Sequence, residues 1–523
     1  MQNCCLLVSS IFSAAFFESL GMTHIDTVFQ PWAKSHPSHI ALRDQHRSVT
    51  YAELDEMLDG LVIHLQEFGI RRGDRVLLVA ENCVAQALII LAVSRIGAWS
   101  ASVNARLSPR EITNFIAHSG ARRVFYFDRD SPEAAQHADA HAADTVTWPQ
   151  LGSLRVGPLN AETAVEPAAP DVAALVYTSG TTGASKAVML THANLLFIAA
   201  NSRRVRSLVP NDVIYGVLPL SHVYGLSALL LAALVSGAEL RLVPRFRPEH
   251  LAAALANDGI TVLHGAPAMY AKLLALEATQ SEVLRAPQLR VAQSGGAPLT
   301  MSIKENFERR FGVVLNNGYG MTEAAPSICQ TRSEVARTDC SVGTPIEGIE
   351  VRLDGAATHP DGVGELQIRG PNVMAGYYRA PALTAQVITP DGWLCTGDLA
   401  RFDADGAVTI VGRSKELIIR SGFNVYPVEI EQVLNAHPDI VQSAVIGRTV
   451  DDNEEVLAFV EMRSGRQLDQ AALMHYLKAN LSPYKIPAQV IVLASLPAAA
   501  SGKILKRELH VLAEVQTIRG DAE

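Results

Sequence analysis

The sequence predicts an α/β protein: a large N-terminal domain of layered α/β sheets that includes a β-rich subdomain, followed by a small α+β C-terminal domain. Three observations carry this expectation. At 523 residues the chain is well past the roughly 250 to 300 residues at which one core stops growing, so two or three domains are expected. Buried-strand runs alternate with helix-period segments through the first part of the chain, as parallel layering requires. After Gly412 the character of the chain changes, and about a hundred residues follow with β and α signals of their own, enough for a small domain.

The elements follow in order. The opening run MQNCCLLVSSIFSAAFF is apolar, but no Lys or Arg precedes it and no small-residue cleavage site follows, so it does not read as a signal peptide. Residues 1–21 are expected to be a non-native or disordered extension, with Met22 as an alternative start. Thr50 and Glu53 form a capping box, and Leu54, Met57, Leu58, Leu61, Leu65 and Phe68 then recur at helical spacing. Arg75 to Ala80 reads as a buried strand, Val84 to Ile96 as a helix and Arg123 to Phe127 as another strand. Pro158 to Pro170, loose in Ala, Glu and Pro, reads as a linker. Glu350 to Arg369 alternates in short runs with Gly, which suggests the β-rich subdomain, and Ala407 to Val411 looks like its last strand.

Composition removes several classes of function. A net charge of −9 gives no basic stripe for a phosphate backbone, so nucleic acid is excluded as a partner. The six cysteines (Cys4, Cys5, Cys83, Cys329, Cys340 and Cys395) lack the spacing of a zinc site or a disulfide framework and read as reduced. From Leu218 to Ala238 there is no Asp, Glu, Lys or Arg, but Pro219, His222, Gly225 and Gly237 argue for a loop leading into a buried helix rather than a transmembrane segment. A cytoplasmic protein is expected.

The densest chemical information lies between Val176 and Asn194. An apolar strand breaks into a Ser/Thr/Gly loop and resumes as a second strand. Gly180 and Gly183 let backbone N–H groups turn inward, Ser179, Thr181 and Thr182 add hydroxyls, and Lys186 adds positive charge, which suits a polyphosphate. It is not a Walker loop, because Ala187 follows the lysine where a hydroxyl would ligate magnesium. The same string also fits a solvated turn, and residues farther along decide between the two.

Those residues come in fixed order: LPLSHVYGL at Leu218–Leu226, SGGAP at Ser294–Pro298, NGYGMTE at Asn317–Glu323 and DGWLCTGD at Asp391–Asp398. GRSKELIIRSGFNVYP at Gly412–Pro427 and SGK at Ser501–Lys503 complete the series. Together with YTSGTTG they resemble the AMP-forming adenylating superfamily of acyl- and aryl-CoA synthetases, peptide-synthetase adenylation domains and luciferases. The resemblance runs from about Met22 to Leu509.

It implies ATP, Mg2+ and CoA as the cofactor and co-substrates, and a small-molecule carboxylic acid as the substrate. Thr178, Ser179, Gly180, Thr181, Thr182, Gly183 and Lys186 would cover the β- and γ-phosphates, and Glu323 would ligate magnesium. Gly295, Gly296 and Ala297 would let a purine approach the backbone. In the segment Asn317, Gly318, Tyr319, Gly320, Met321 and Thr322, Tyr319 would offer a stacking face and Asn317 would read the purine edge. Asp398 would accept from the ribose hydroxyls, with Arg413 on the same sugar. Lys503 would contact both the substrate carboxylate and the α-phosphate. His222 either gates the acyl pocket or is a core histidine, and His264 either lines that pocket or caps a strand.

For the second half-reaction the resemblance implies rotation of a mobile C-terminal domain (417–523) against the N-terminal domain (22–412) about a hinge at 413–416 centred on Lys415. Ser421, Gly422 and Phe423 would then enter the site. Ser185 and Ala187 depart from the family's usual proline and glycine, which bears on loop rigidity rather than on nucleotide binding. The expected function is ATP-dependent joining of a medium-chain fatty or aromatic acid to CoA through an acyl adenylate. The alternative is a stand-alone adenylation enzyme that charges a carrier protein, and the chain would act as a monomer or homodimer. No guanidinium stands out for a second carboxylate on the acid.

Overall fold

The computed structural model describes residues 23–161, 171–178, 186–277, 283–335, 337–358, 361–420, 423–450, 453–463, 465–499 and 502–520. The expected opening extension, most of the linker and the loop 179–185 lie outside the described residues.

Two large sheets share the N-terminal part. One has eight strands, in the spatial order Gly376–Tyr377, Lys186–Thr191, Val172–Thr178, Trp99–Asn104, Arg75–Ala80, Arg123–Tyr126, Gly152–Val156 and Asp144–Trp148. Its centre is parallel, with Arg75–Ala80 flanked by Trp99–Asn104 and Arg123–Tyr126, as the alternating pattern predicts. Such strands are covered on both faces and therefore read as continuous apolar runs; every residue of Arg75–Ala80 is buried. The second sheet has nine strands, and its parallel middle (Val213–Gly216, Val262–Gly265, Val291–Ser294 and Leu315–Gly320) ends at the SGGAP and NGYGMTE segments.

The helix Tyr51–Glu67 starts at the expected capping box, with Thr50 accepting from the Glu53 N–H and Glu53 accepting from the Thr50 N–H. Its apolar stripe, Leu54, Leu58, Leu61 and Leu65, is fully buried. The charge-free stretch after Leu218 forms a loop and then a buried helix, π-helical over Tyr224–Leu231 and α-helical over Ala232–Ser236. Among the described residues no helix is long and apolar enough to cross a membrane. That helix stops at Gly237, whose φ of 75° and closeness to the Trp32 ring leave no room for a Cβ.

A four-stranded antiparallel sheet (Glu350–Asp354, Gly364–Arg369, Leu394–Phe402 and Val408–Arg413) is the predicted β-rich subdomain. Beyond it, Ile440–Val450, Asn453–Met462 and Gln489–Leu493 form a separate sheet packed by Pro427–Ala436 and Gln470–Asn480 around an apolar cluster of their own. The small lobe meets the large one through Pro427–Ala436 against Met301–Phe311 and Ile440–Val450 against Pro267–Glu277. A polar cleft of about 420 Å³ between them is lined by Asn306, Arg309, Asn435 and Arg463, among others.

Replacing Gly237 with Ala would force a left-handed backbone on a Cβ that lies 2.6 Å from Trp32. The variant is expected to lose about 2 kcal/mol or more of stability. A thermal melt unchanged from the parent protein would contradict this.

Candidate active site

The crevice lies where the two large sheets, the four-stranded sheet and the small lobe meet. On one wall, Val172–Thr178 and Lys186–Thr191 pair antiparallel, with Thr178 opposite Lys186 at the mouth of the Gly/Thr loop. Ser179, Gly180, Thr181, Thr182 and Gly183, and the departure at Ser185, lie outside the described residues. The Lys186 ammonium sits 4.8 Å from the Tyr377 ring centroid. The Tyr377 hydroxyl donates to Glu323 Oε1 at 2.7 Å, so one aromatic side chain links the loop lysine to the acidic residue.

Glu323 is buried on the short turn Thr322–Ala324, held by the Met374 N–H on its carbonyl. Asn372, fully buried, donates to the Ala324 and Ser327 carbonyls and pins the same turn. Gly320 makes this turn possible, since a Cβ there would lie 2.0 Å from the Pro326 carbonyl oxygen. Among the described residues Glu323 has no ion-pair partner, and no trio of acidic, His or Cys side chains could enclose a metal. This donor set fits magnesium, which takes one or two carboxylates and completes its octahedron with water and phosphate oxygens.

On the opposite wall, Asp398 and Arg413 face each other across adjacent strands, Nε to Oδ1 at 3.1 Å. The Tyr319 hydroxyl donates to Asp398 Oδ2 at 2.5 Å, and burial together with that carboxylate pushes the phenol well above its ordinary pKa. Thr396 accepts from the Asp398 N–H and donates to the Leu366 carbonyl, which fixes the turn. Gly295 is buried against the Tyr224 ring, 3.0 Å from where its Cβ would be, and Gly296 is exposed with φ 81°.

Asn317 departs from the sequence expectation. Its Nδ2 donates to the Cys340 and Ser341 carbonyls at 3.0 and 3.2 Å, and its Oδ1 accepts from the Gly318 N–H. Both amide hydrogens are spent on anchoring a neighbouring segment, so the purine-edge role is not supported by this arrangement.

The small lobe delivers Lys503. Its loop closes on itself through the Ala499 N–H to the Lys503 carbonyl and the Gly502 N–H to the Ala499 carbonyl. Gly502 has φ 84° and packs on Ala266, where a Cβ would approach to 2.9 Å. Although Lys503 is exposed as a residue, burial of its ammonium lowers the pKa, helped by Arg413 and opposed by Asp398, Glu416 and Glu323. The lysine therefore feels both walls at once. His222, half-buried, is pushed down to about 4 by burial and by Lys503, so it is neutral at pH 7. Its Nδ1 accepts from the Tyr224 N–H.

Lys415 is exposed in the short turn Ser414–Glu416 that joins the lobes, and Phe423 is exposed and stacked on Tyr484. Ser421 and Gly422 lie outside the described residues. Lys506 bonds both Glu416 and Glu431 at 2.9 Å and stitches the last helix to the linker. Tyr377, Asn372 and Lys506 escaped sequence reasoning because none sits in a motif of chemical character.

A crevice with the strand ends Thr178 and Lys186, a buried acidic residue, a carboxylate-arginine pair and an incoming lysine is that of a nucleotide-dependent carboxylate-activating enzyme. Residues 29–378 match the AMP-binding enzyme family model and residues 429–503 its C-terminal domain model. The chain is 35% identical over 489 residues to a feruloyl-CoA synthase of Amycolatopsis, covering 91% of this chain and 96% of that one. It is 36% identical over 454 residues to a sulfoacetate–CoA ligase of Cupriavidus necator, covering 84% and 88%. Among solved structures, the O-succinylbenzoate coenzyme A synthetase of Bacillus subtilis in complex with ATP and magnesium superposes with TM-score 0.77 at 27% identity, covering 92% of this chain and 99% of that one. The chain belongs to the AMP-binding enzyme family.

Asn317→Ala is expected to leave the Cys340 and Ser341 carbonyls without their donor and to cost about 1 to 3 kcal/mol of stability in the absence of nucleotide. If stability held and only the apparent affinity for ATP fell, the anchoring role would be wrong.

Proposed function

We propose that this protein is an ATP-dependent acid–CoA ligase that joins a carboxylic acid to CoA through an acyl adenylate, releasing pyrophosphate and then AMP. The observation that carries this reading is the position of Lys503, electrostatically coupled at once to the Asp398 and Arg413 wall and to Glu323.

In the first half-reaction a carboxylate oxygen attacks the α-phosphorus and the bond to pyrophosphate breaks. Two anions must approach each other, so the protein's task is to neutralise charge in a crevice with little water. Lys503 sits between the position for the acid and the nucleotide and stabilises the charge that builds up on both. Thr178, Lys186 and the loop between them hold the terminal phosphates. Glu323 would hold magnesium, which supplies further neutralisation of phosphate charge when bound. Asp398 and Arg413 hold the ribose, and Tyr319, fixed by its bond to Asp398, presents a ring to the base. His222, neutral and beside Lys503, lines the entry to the acyl pocket.

In the second half-reaction the thiol of CoA forms a bond to the acyl carbon, and the acyl–phosphate oxygen bond breaks to free AMP. Lys503 is then no longer needed, and rotation about 413–416 brings the segment around Phe423 to the site. The relatives named above act on feruloyl, sulfoacetate and O-succinylbenzoate groups, and an acid of that small or aromatic size is the substrate class we propose here. A cytoplasmic setting, where ATP and CoA are at hand, completes the reading.

Lys503→Ala is expected to slow acyl-adenylate formation by about 100-fold or more, while thioester formation from supplied acyl-AMP falls far less. Equal loss in both assays would defeat the two-orientation account. A second prediction concerns pH. Because the Lys503 pKa is lowered and the charged form is needed, adenylation should decline on the alkaline side below the ordinary lysine value of 10.5. Lys503→Arg, which does not titrate there, should remove that decline from a pyrophosphate-exchange profile. Persistence of the same alkaline limb would assign it to another group.

A further inference from the structure

Beneath the Lys503 loop lies a cluster that the motif reading overlooks. Arg206 caps the C-terminus of the helix His192–Val205 and is only 7% exposed. Its neighbours Arg203 and Arg204 are accounted for by the Trp32 ring and by Glu347. Among the described residues Arg206 has no carboxylate partner, and its Nε and Nη1 are buried without any hydrogen-bond partner. The guanidinium lies against the Tyr224 hydroxyl. Tyr224 in turn is 3.2 Å from His264 Nδ1, and the two rings meet edge to face.

The direction of these bonds follows from the donors. Arg206 can only donate, so the Tyr224 oxygen accepts from it and its hydroxyl hydrogen goes to His264 Nδ1. Burial and Arg206 hold His264 well below its ordinary pKa, so the ring is neutral and its one hydrogen sits on Nε2. That Nε2 is also buried without a partner, as is the hydroxyl of Ser294, next to Gly295. Three guanidinium N–H groups, one on Nε and two on Nη1, and one imidazole N–H are thus buried with nothing to accept them. A buried cation of this kind is costly unless an anion compensates it.

The cluster is also in the right place. Gly295, of the SGGAP segment, packs on the Tyr224 ring, and its N–H donates to the Gly265 carbonyl beside His264. Ala266, two residues after His264, is the residue on which Gly502 rests. His222, which senses Lys503, accepts the Tyr224 N–H at its Nδ1.

We propose that Arg206, with the Nε2–H of His264, forms a subsite for a second anionic group, a carboxylate or sulfonate, at the far end of the acid being activated. The inference rests on the ligase reading above and narrows its substrate to dianionic acids.

The test compares matched acids on the full-length protein: adipate with hexanoate, and 3-sulfobenzoate with benzoate. The ratio of kcat/KM for the dianionic over the monoanionic member of a pair is read from ATP- and CoA-dependent AMP release. At least one pair should favour the dianion, and Arg206→Leu should lower that ratio by about 10- to 100-fold. Arg204→Leu, which faces away from the cluster, should leave it intact. Calorimetric binding of adipate and 3-sulfobenzoate without ATP gives a readout independent of turnover, and binding of at least one should weaken by a similar factor in Arg206→Leu. Preference for the monoanion in both pairs, or equal loss for both members in the variant, would overturn the subsite while leaving the ligase standing. Absence of AMP release with every acid would defeat the ligase reading, and Arg206-dependent binding of a dianion would then still uphold the subsite. Should Arg206→Leu fail to fold, Arg206→Gln takes its place, and an unchanged ratio in that charge-free variant would overturn the subsite.

Discussion

The charged groups of the crevice are held in place by neutral or oppositely charged neighbours, and the docking of the small lobe depends on that arrangement. Arg413 faces Asp398, Tyr319 braces Asp398 from the other side, and Tyr377 stands between Lys186 and Glu323. An ammonium from the last loop can enter such a place because each wall offers it a carboxylate, even though Arg413 and burial resist it. The balance is close, and this suits a group that must arrive for one step and leave before the next. A lysine locked in a strong ion pair could not be withdrawn at small cost.

Much of the architecture was legible because parallel strands covered on both faces leave an unmistakable mark. Arg75–Ala80 is such a strand, Val84–Ile96 after it carries the helical pattern, and the capping box at Thr50 gave the start of its helix to the residue. The crevice was legible where its residues come in short strings: Asp398, Arg413, Glu323 and Lys503 lie on four separate segments that the fold gathers together.

What stayed hidden did so for physical reasons. Asn317 sits in a motif, but a motif does not reveal that both its amide hydrogens are taken by Cys340 and Ser341, more than twenty residues away. Tyr377 and Asn372 act on Glu323 from about fifty residues downstream, a separation no local pattern records. Arg206 was masked by its neighbours. Three arginines within four residues at a helix end read as a solvated cap that favours the helix dipole, and only the packing shows that Arg203 lies on the Trp32 ring and Arg204 pairs with Glu347 while Arg206 is buried.

The widened turn at Tyr224–Leu231 bears on how the surroundings of His264 and Gly295 can be altered. A π-helix holds one residue more than the same span of α-helix, and here the surplus falls directly after His222 and at Tyr224. Loss of a single residue within it would let the segment tighten to the ordinary pitch and swing the aromatic ring about 100° around the helix axis, away from Gly295. A one-codon deletion would thereby move Tyr224 away from His264 and Gly295 without touching Glu323, Asp398 or Arg413, a short evolutionary path to a reshaped crevice.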